Sequence, residues 1–154
     1  MIDRLIEKKI IQQLHKNKAV ILLGPRQSGK TTLLRKITGI LNDKCLWWNG
    51  DEPDIRSVLP AATSVRLREM IGNNSLLVID EAQRIENIGL CIKLIIDNIP
   101  GIKVIATGSS SFELADRINE PLTGRRFEYF LYPFSYGEMA GHHGNAEEKR
   151  LLNH

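Results

Sequence analysis

Short apolar runs without alternation recur along the chain, at residues 18–23, 44–48, 75–79, 102–107 and 127–131. Runs of that length read as strands, and the lack of alternation fits parallel strands buried on both faces. Between them the apolar positions fall at helical spacing. Ile2, Leu5, Ile6, Ile10 and Leu14 mark an amphipathic helix over 2–16, and further helices are predicted over 31–40, 54–59, 64–71, 88–98 and 112–118. Asn73-Asn74 and Pro100-Gly101 punctuate the pattern. Strands alternating with helices predict an α/β protein, a mostly parallel sheet covered on both faces. In such sheets ligands gather at the carboxyl ends of strands. That rule singles out residues 24–31, Asp51, Asp80-Glu81 and 107–109, all of which follow predicted strands.

Composition adds bounds. The 154 residues suit one compact domain, and 42% apolar with 25% charged residues is ordinary for a packed protein. A formal charge of +3 is too weak to argue by itself for nucleic acid. Cys45 and Cys91 stand apart in apolar runs and read as core thiols of a reduced, cytoplasmic protein. The charged start MIDRLIEKKI has no signal-peptide core, and no apolar run reaches the ~20 residues of a membrane span. The expectation is a cytoplasmic protein with no membrane partner.

The stretch from Gly24 to Thr31 is GPRQSGKT, a full match to G-x-x-x-x-G-K-[ST]. Glycines let successive backbone N–H groups turn inward on phosphate oxygens, and the following helix adds the positive end of its dipole. Gly24, Pro25, Arg26, Gln27, Ser28, Gly29, Lys30, Thr31 and Thr32 are the expected nucleotide-binding residues. Lys30 would reach the β- and γ-phosphates, and the Thr31 hydroxyl would ligate Mg²⁺.

A second acid-bearing turn follows the strand SLLVID. Asp80 would hold Mg²⁺ through water, since that ion prefers few carboxylates plus phosphates. Glu81 would orient a water for attack on the γ-phosphate. A glutamate there, with no N-K-x-D guanine-reading motif, favours hydrolysis over transfer. A plainer reading stays open, in which Asp80 caps the next helix and Glu81 is an exposed first-turn acid. Thr107, Ser109 and Ser110 offer hydroxyls to the attacking water or the γ-phosphate, or an N-cap to the helix near Phe112. Arg125 and Arg126 precede the last strand. An arginine near the γ-phosphate would stabilise transition-state charge, from the same chain or a neighbour; a solvated basic pair is the alternative.

With these residues in place the chain resembles AAA+ ATPases of the archaeal-type group, the fourteenth AAA domain family. The matching stretches are GPRQSGKTTLL, NGDEPDIR, VIDEAQRIENIG, IATGSSSFELA, EPLTGRRFEYFLYPFS and Glu138. The resemblance implies a P-loop NTPase three-layer sandwich with sheet order 5-1-4-3-2. It assigns Lys30 and Thr31 to Walker A, Asp80 and Glu81 to Walker B, Ser109 or Thr107 to sensor 1, and Arg125 to a candidate arginine finger. ATP and Mg²⁺ are the implied cofactors. The expected layout is an N-terminal helix at 1–17, an ATPase core at 18–138 and a loose tail at 139–154. Members of the group continue well beyond this point, into a helical segment and a C-terminal domain of unknown function. The expectation is therefore a truncated copy or a separately encoded partner half. A homo-oligomer is the other expected partner, and nucleic acid a weaker one. Two functions follow: an ATPase core, or a nucleotide-binding module with little turnover that acts as switch, scaffold or remnant.

Smaller signals add less. Adjacent Trp47 and Trp48 must face opposite sides of their strand, one into the core and one toward a docking surface or solvent. His142 and His143 lack partners at metal spacing. Arg66, Arg68 and Arg84 read as solvated positions rather than a nucleic-acid stripe, because no aromatics are interleaved with them.

Overall fold

The computed structural model describes residues 2–25, 29–109 and 121–131. Its elements are α1 (Ile2–Leu14), β1 (Ala19–Leu23), α2 (Lys30–Leu41), β2 (Cys45–Asn49), α3 (Pro53–Val58), α4 (Ser64–Ile71), β3 (Leu76–Asp80), α5 (Ile88–Asn98), β4 (Lys103–Gly108) and β5 (Arg126–Phe130). Short 3-10 turns lie at Leu59–Ala61 and Ala82–Arg84. The expected helix over 112–118, and Ser110, Glu138, His142 and His143, lie outside the described residues.

The five strands form one parallel sheet in the order β2-β3-β4-β1-β5, the predicted order. β1 is completely buried. Its alternate residues feed two cores. Val20 and Leu22 pack with Ile6, Ile10 and Leu14 of α1 and Leu33, Leu34 and Ile37 of α2. Ala19, Ile21 and Leu23 face the other side, with Leu67 and Ile71 of α4 and Ile88, Cys91, Ile92 and Ile95 of α5. Helices therefore cover both faces, and the fold is the expected three-layer α/β sandwich.

Local chemistry explains the element ends. Thr63 caps α4 by accepting the Arg66 N–H at 3.2 Å, and Gly72 closes it at φ 59°, a backbone angle that favours glycine. The predicted helix over 54–59 starts at Pro53 instead, where the missing N–H costs nothing. It gives way to a 3-10 turn at Leu59–Ala61, because Pro60 cannot continue the hydrogen-bond ladder. Trp48 is buried, while Trp47 is half-exposed with the Arg35 guanidinium 5.5 Å from its ring centre. Both cysteines are free thiols, and burial pushes Cys91 up to about 12. Among the described residues no helix is long and apolar enough to cross a membrane.

Candidate functional site

Three chain segments leave the sheet together at the carboxyl ends of β1, β3 and β4. The first is the loop from Gly24 into α2. Gly24 donates its N–H to the Gly108 carbonyl at 3.2 Å, which ties this loop to the segment after β4. Gly29 sits in the left-handed region at φ 86°, a conformation that favours glycine, and directly precedes α2. Its cap residue, Gly29, has no side chain to offer, and no acid lies in its first turn. The positive end of the dipole at such a helix start favours an anion. Lys30 is buried, and its ammonium donates to the carbonyls of Gly24 at 2.6 Å and Pro25 at 2.9 Å. Thr31 and Thr32 are exposed on the first turn of α2. Arg26, Gln27 and Ser28 lie outside the described residues.

The second segment is the turn after β3. Asp80 accepts a hydrogen bond from the Thr107 hydroxyl at 2.5 Å and another from the Glu81 N–H at 3.1 Å, both on Oδ1. The Glu81 N–H also reaches Thr107 Oγ1 at 3.2 Å. Thr107 is fully buried, so its hydroxyl serves to fix the acid pair. Glu81 itself takes φ 52°, unusual for a residue with a side chain. That conformation turns the chain sharply after the strand. The third segment begins at Ser109, whose N–H and hydroxyl both bond to Gln83.

Neighbouring strands lie ~4.8 Å apart, so β1 and β3, with β4 between them, are separated by about 10 Å. That gap can take a phosphate chain and a hydrated cation. The donor set fits Mg²⁺, with a hydroxyl at Thr31 on one side and a carboxylate at Asp80 on the other. Among the described residues no three His, Cys, Asp or Glu side chains gather into a metal cage. Mg²⁺ shared with phosphates does not need one.

A family profile described as an AAA domain matches residues 16–140. The chain belongs to the AAA domain family. Within it, this is an AAA+ P-loop member of the archaeal-type group. An uncharacterized protein of Mycobacterium tuberculosis is 30% identical over 118 residues, covering 76% of this chain and 25% of the relative. The chain thus spans about a quarter of that relative's length. The cytochrome c biogenesis ATP-binding export protein CcmA of Gluconobacter oxydans is 34% identical over 82 residues, 48% of this chain and 39% of CcmA. Two solved structures share the fold. A RuvB variant of Thermotoga maritima aligns with a TM-score of 0.56 at 19% identity, over 84% of this chain and 44% of its own. A Walker-type ATPase of Pyrococcus abyssi aligns with a TM-score of 0.57 at 19% identity, over 87% and 54%.

Not every predicted site residue of the AAA domain meets at this end. The Arg125 carbonyl accepts the Ala19 N–H at 2.8 Å, where β1 begins. Its guanidinium pairs with Asp97 near the end of α5 at 3.0 Å. At ~3.3 Å per residue, the length of β1 puts it about 13 Å or more from the loop between β1 and α2. Arg126, paired with Glu128 at 3.4 Å, sits at the same far end.

Sequence reading passed over three residues of the AAA domain that shape the acid turn. Gly50 donates its N–H to the Asp80 carbonyl at 2.7 Å, and a Cβ on it would stand 2.1 Å from the Glu81 carbonyl oxygen. Arg56 clamps the Gly50 and Asp51 carbonyls at 2.9 and 2.7 Å. Gln83 is buried and bonded to Glu81. Their signal was present in the quoted stretches NGDEPDIR and VIDEAQ, as a glycine and a buried amide beside acids.

Proposed function

We propose that the chain is the Mg²⁺-dependent ATPase core of its family, working through Walker A, Walker B and sensor 1 positions. The observation that carries this reading is the convergence of the Lys30 loop, the Asp80–Glu81 turn and Ser109 at one end of one sheet. Lys30 would exchange loop carbonyls for β- and γ-phosphate oxygens. Thr31 and Asp80, the latter through Oδ2, would hold Mg²⁺ and its waters. Glu81 would accept a proton from the attacking water. Ser109 would contact that water or the γ-phosphate. The bound metal would supply charge neutralisation on the phosphates. A cytoplasmic location fits the two free thiols.

The place of Arg125 favours a refinement. An arginine at the far end of the sheet cannot serve its own phosphates, so as a finger it acts on a neighbouring copy. The Asp97 pair opposing this is half-exposed and worth under about 1 kcal/mol. The same observation favours a second reading, in which a lone copy binds nucleotide and turns it over little.

The experiment is ATP hydrolysis by wild type and Lys30→Ala with Mg²⁺, over a concentration series, with and without added DNA or RNA. Turnover that needs Lys30 and rises per molecule with concentration supports the ATPase with a neighbour's arginine. Mixing Lys30→Ala with Arg125→Ala should then restore part of the activity that each lacks alone. Nucleotide binding without turnover at any concentration supports the binding module. Stimulation by nucleic acid would add that class of partner.

A further inference from the structure

Gln83 lies in the 3-10 turn just past the acid pair and is 7% exposed. Its amide nitrogen donates to Glu81 Oε2 at 2.7 Å and to Ser109 Oγ at 2.9 Å. Its carbonyl oxygen accepts the Ser109 N–H at 3.3 Å. Only one orientation of the amide satisfies all three. A carboxylate needs a donor and a backbone N–H needs an acceptor, so a flipped amide would leave both unmatched. A carboxylic acid side chain has no NH₂ to offer, and an apolar one has neither group. The amide therefore bridges the turn after β3 and the segment after β4, and Glu81 and Ser109 bond to the same side chain.

We propose that Gln83 is a positioning residue. It holds the Glu81 carboxylate by one oxygen, leaves the other to the reacting water, and makes that posture depend on where Ser109 stands. A shift of the β4 segment on contact with the γ-phosphate would then reach Glu81 through a single amide. The backbone of Glu81 is already pinned by Asp80 and Thr107. What Gln83 adds is control of the side chain. This inference rests on the ATPase reading above.

The test compares Gln83→Leu, which keeps volume and removes the hydrogen bonds, with Gln83→Glu, which keeps shape and removes the donors. Single-turnover ATP hydrolysis should fall at least tenfold in both, while affinity for a fluorescent methylanthraniloyl ATP with Mg²⁺ stays within twofold. Hydrolysis by Ser109→Ala/Gln83→Leu should be no lower than that of the worse single variant. In a Glu81→Gln background Gln83→Leu should have no further effect. Multiplying losses, or wild-type rates in both variants, would overturn the proposal. A wild type that hydrolyses nothing would sink the ATPase reading instead. The link is then decided by hydrogen exchange of the Ser109 amide, which should quicken at least tenfold in Gln83→Leu and would stay unchanged if no such link exists.

Discussion

The two ends of the sheet carry polar groups in different ways. At the amino end, charges cancel in pairs across elements. Asp43 takes Lys103 at 2.8 Å and the Ser75 hydroxyl at 3.0 Å, and Arg125 takes Asp97. At the carboxyl end, the acids Asp80 and Glu81 are held by neutral donors: a threonine hydroxyl, a backbone N–H and a glutamine amide. Neutral donors fix a carboxylate without cancelling its charge, so it can still attract a cation. Gly29 and Glu81 adopt left-handed conformations at the carboxyl end, where the chain leaves β1 and β3. Changes at one end should therefore remove chemistry, and changes at the other should remove stability.

The largest contrast should come from Glu81→Gln. The amide keeps the volume and cannot act as base, so hydrolysis should fall on the order of 10²–10⁴-fold. Nucleotide binding and the unfolding midpoint should stay near wild type. An equal fall in affinity for ATP would mean that Glu81 serves binding.

Gly50→Ala should strike chemistry and stability together. The new methyl would meet the Glu81 carbonyl, a backbone atom that cannot swing aside. Relief by backbone shift costs about 1–3 kcal/mol, and the shift would carry Glu81 with it. Thermal unfolding should report the first effect and a turnover loss of at least tenfold the second. Thr107→Val should do less. It deletes a buried hydroxyl that donates to Asp80 and accepts from Glu81, at about 1–3 kcal/mol for the groups left unmatched. A full-strength ATPase with Thr107→Val would show that Asp80 needs no such support.

The sequence made some of this legible for physical reasons. Continuous apolar runs announced buried parallel strands, and helical spacing announced the layers, because burial on two faces leaves no other pattern. Lys30, Asp80 and Glu81 stood out because phosphate and metal chemistry demands fixed residue types near one another in sequence. Gly50 and Gln83 did not stand out, since their roles depend on contacts across β2, β3 and β4 that spacing does not encode. Arg125 was visible as a residue and not as a place. The pairing of Arg126 with Ala19 places it at the end of the sheet opposite Lys30 and Glu81.

The smallest effect should be Asp43→Asn, which sharpens the contrast from the quiet end. The Lys103 hydrogen bond holds the Asp43 carboxyl below its ordinary value, against the opposing effect of burial. A folded-state value depressed in this way stabilises the fold fully above the unfolded value of about 4 and loses that contribution as pH falls through the folded value. The wild type should therefore be more stable than Asp43→Asn by about 1 kcal/mol at pH 7, the scale of a partly exposed ion pair. The gap should close as urea unfolding is repeated from pH 5 down to pH 2, because the wild-type carboxyl then becomes neutral as well. A gap independent of pH would place the effect in shape rather than charge. Turnover should be unchanged, since Asp43 stands at the opposite end of the strands from Lys30 and Glu81, and a loss of ATPase activity in this variant would mean that the two ends of the sheet are not independent.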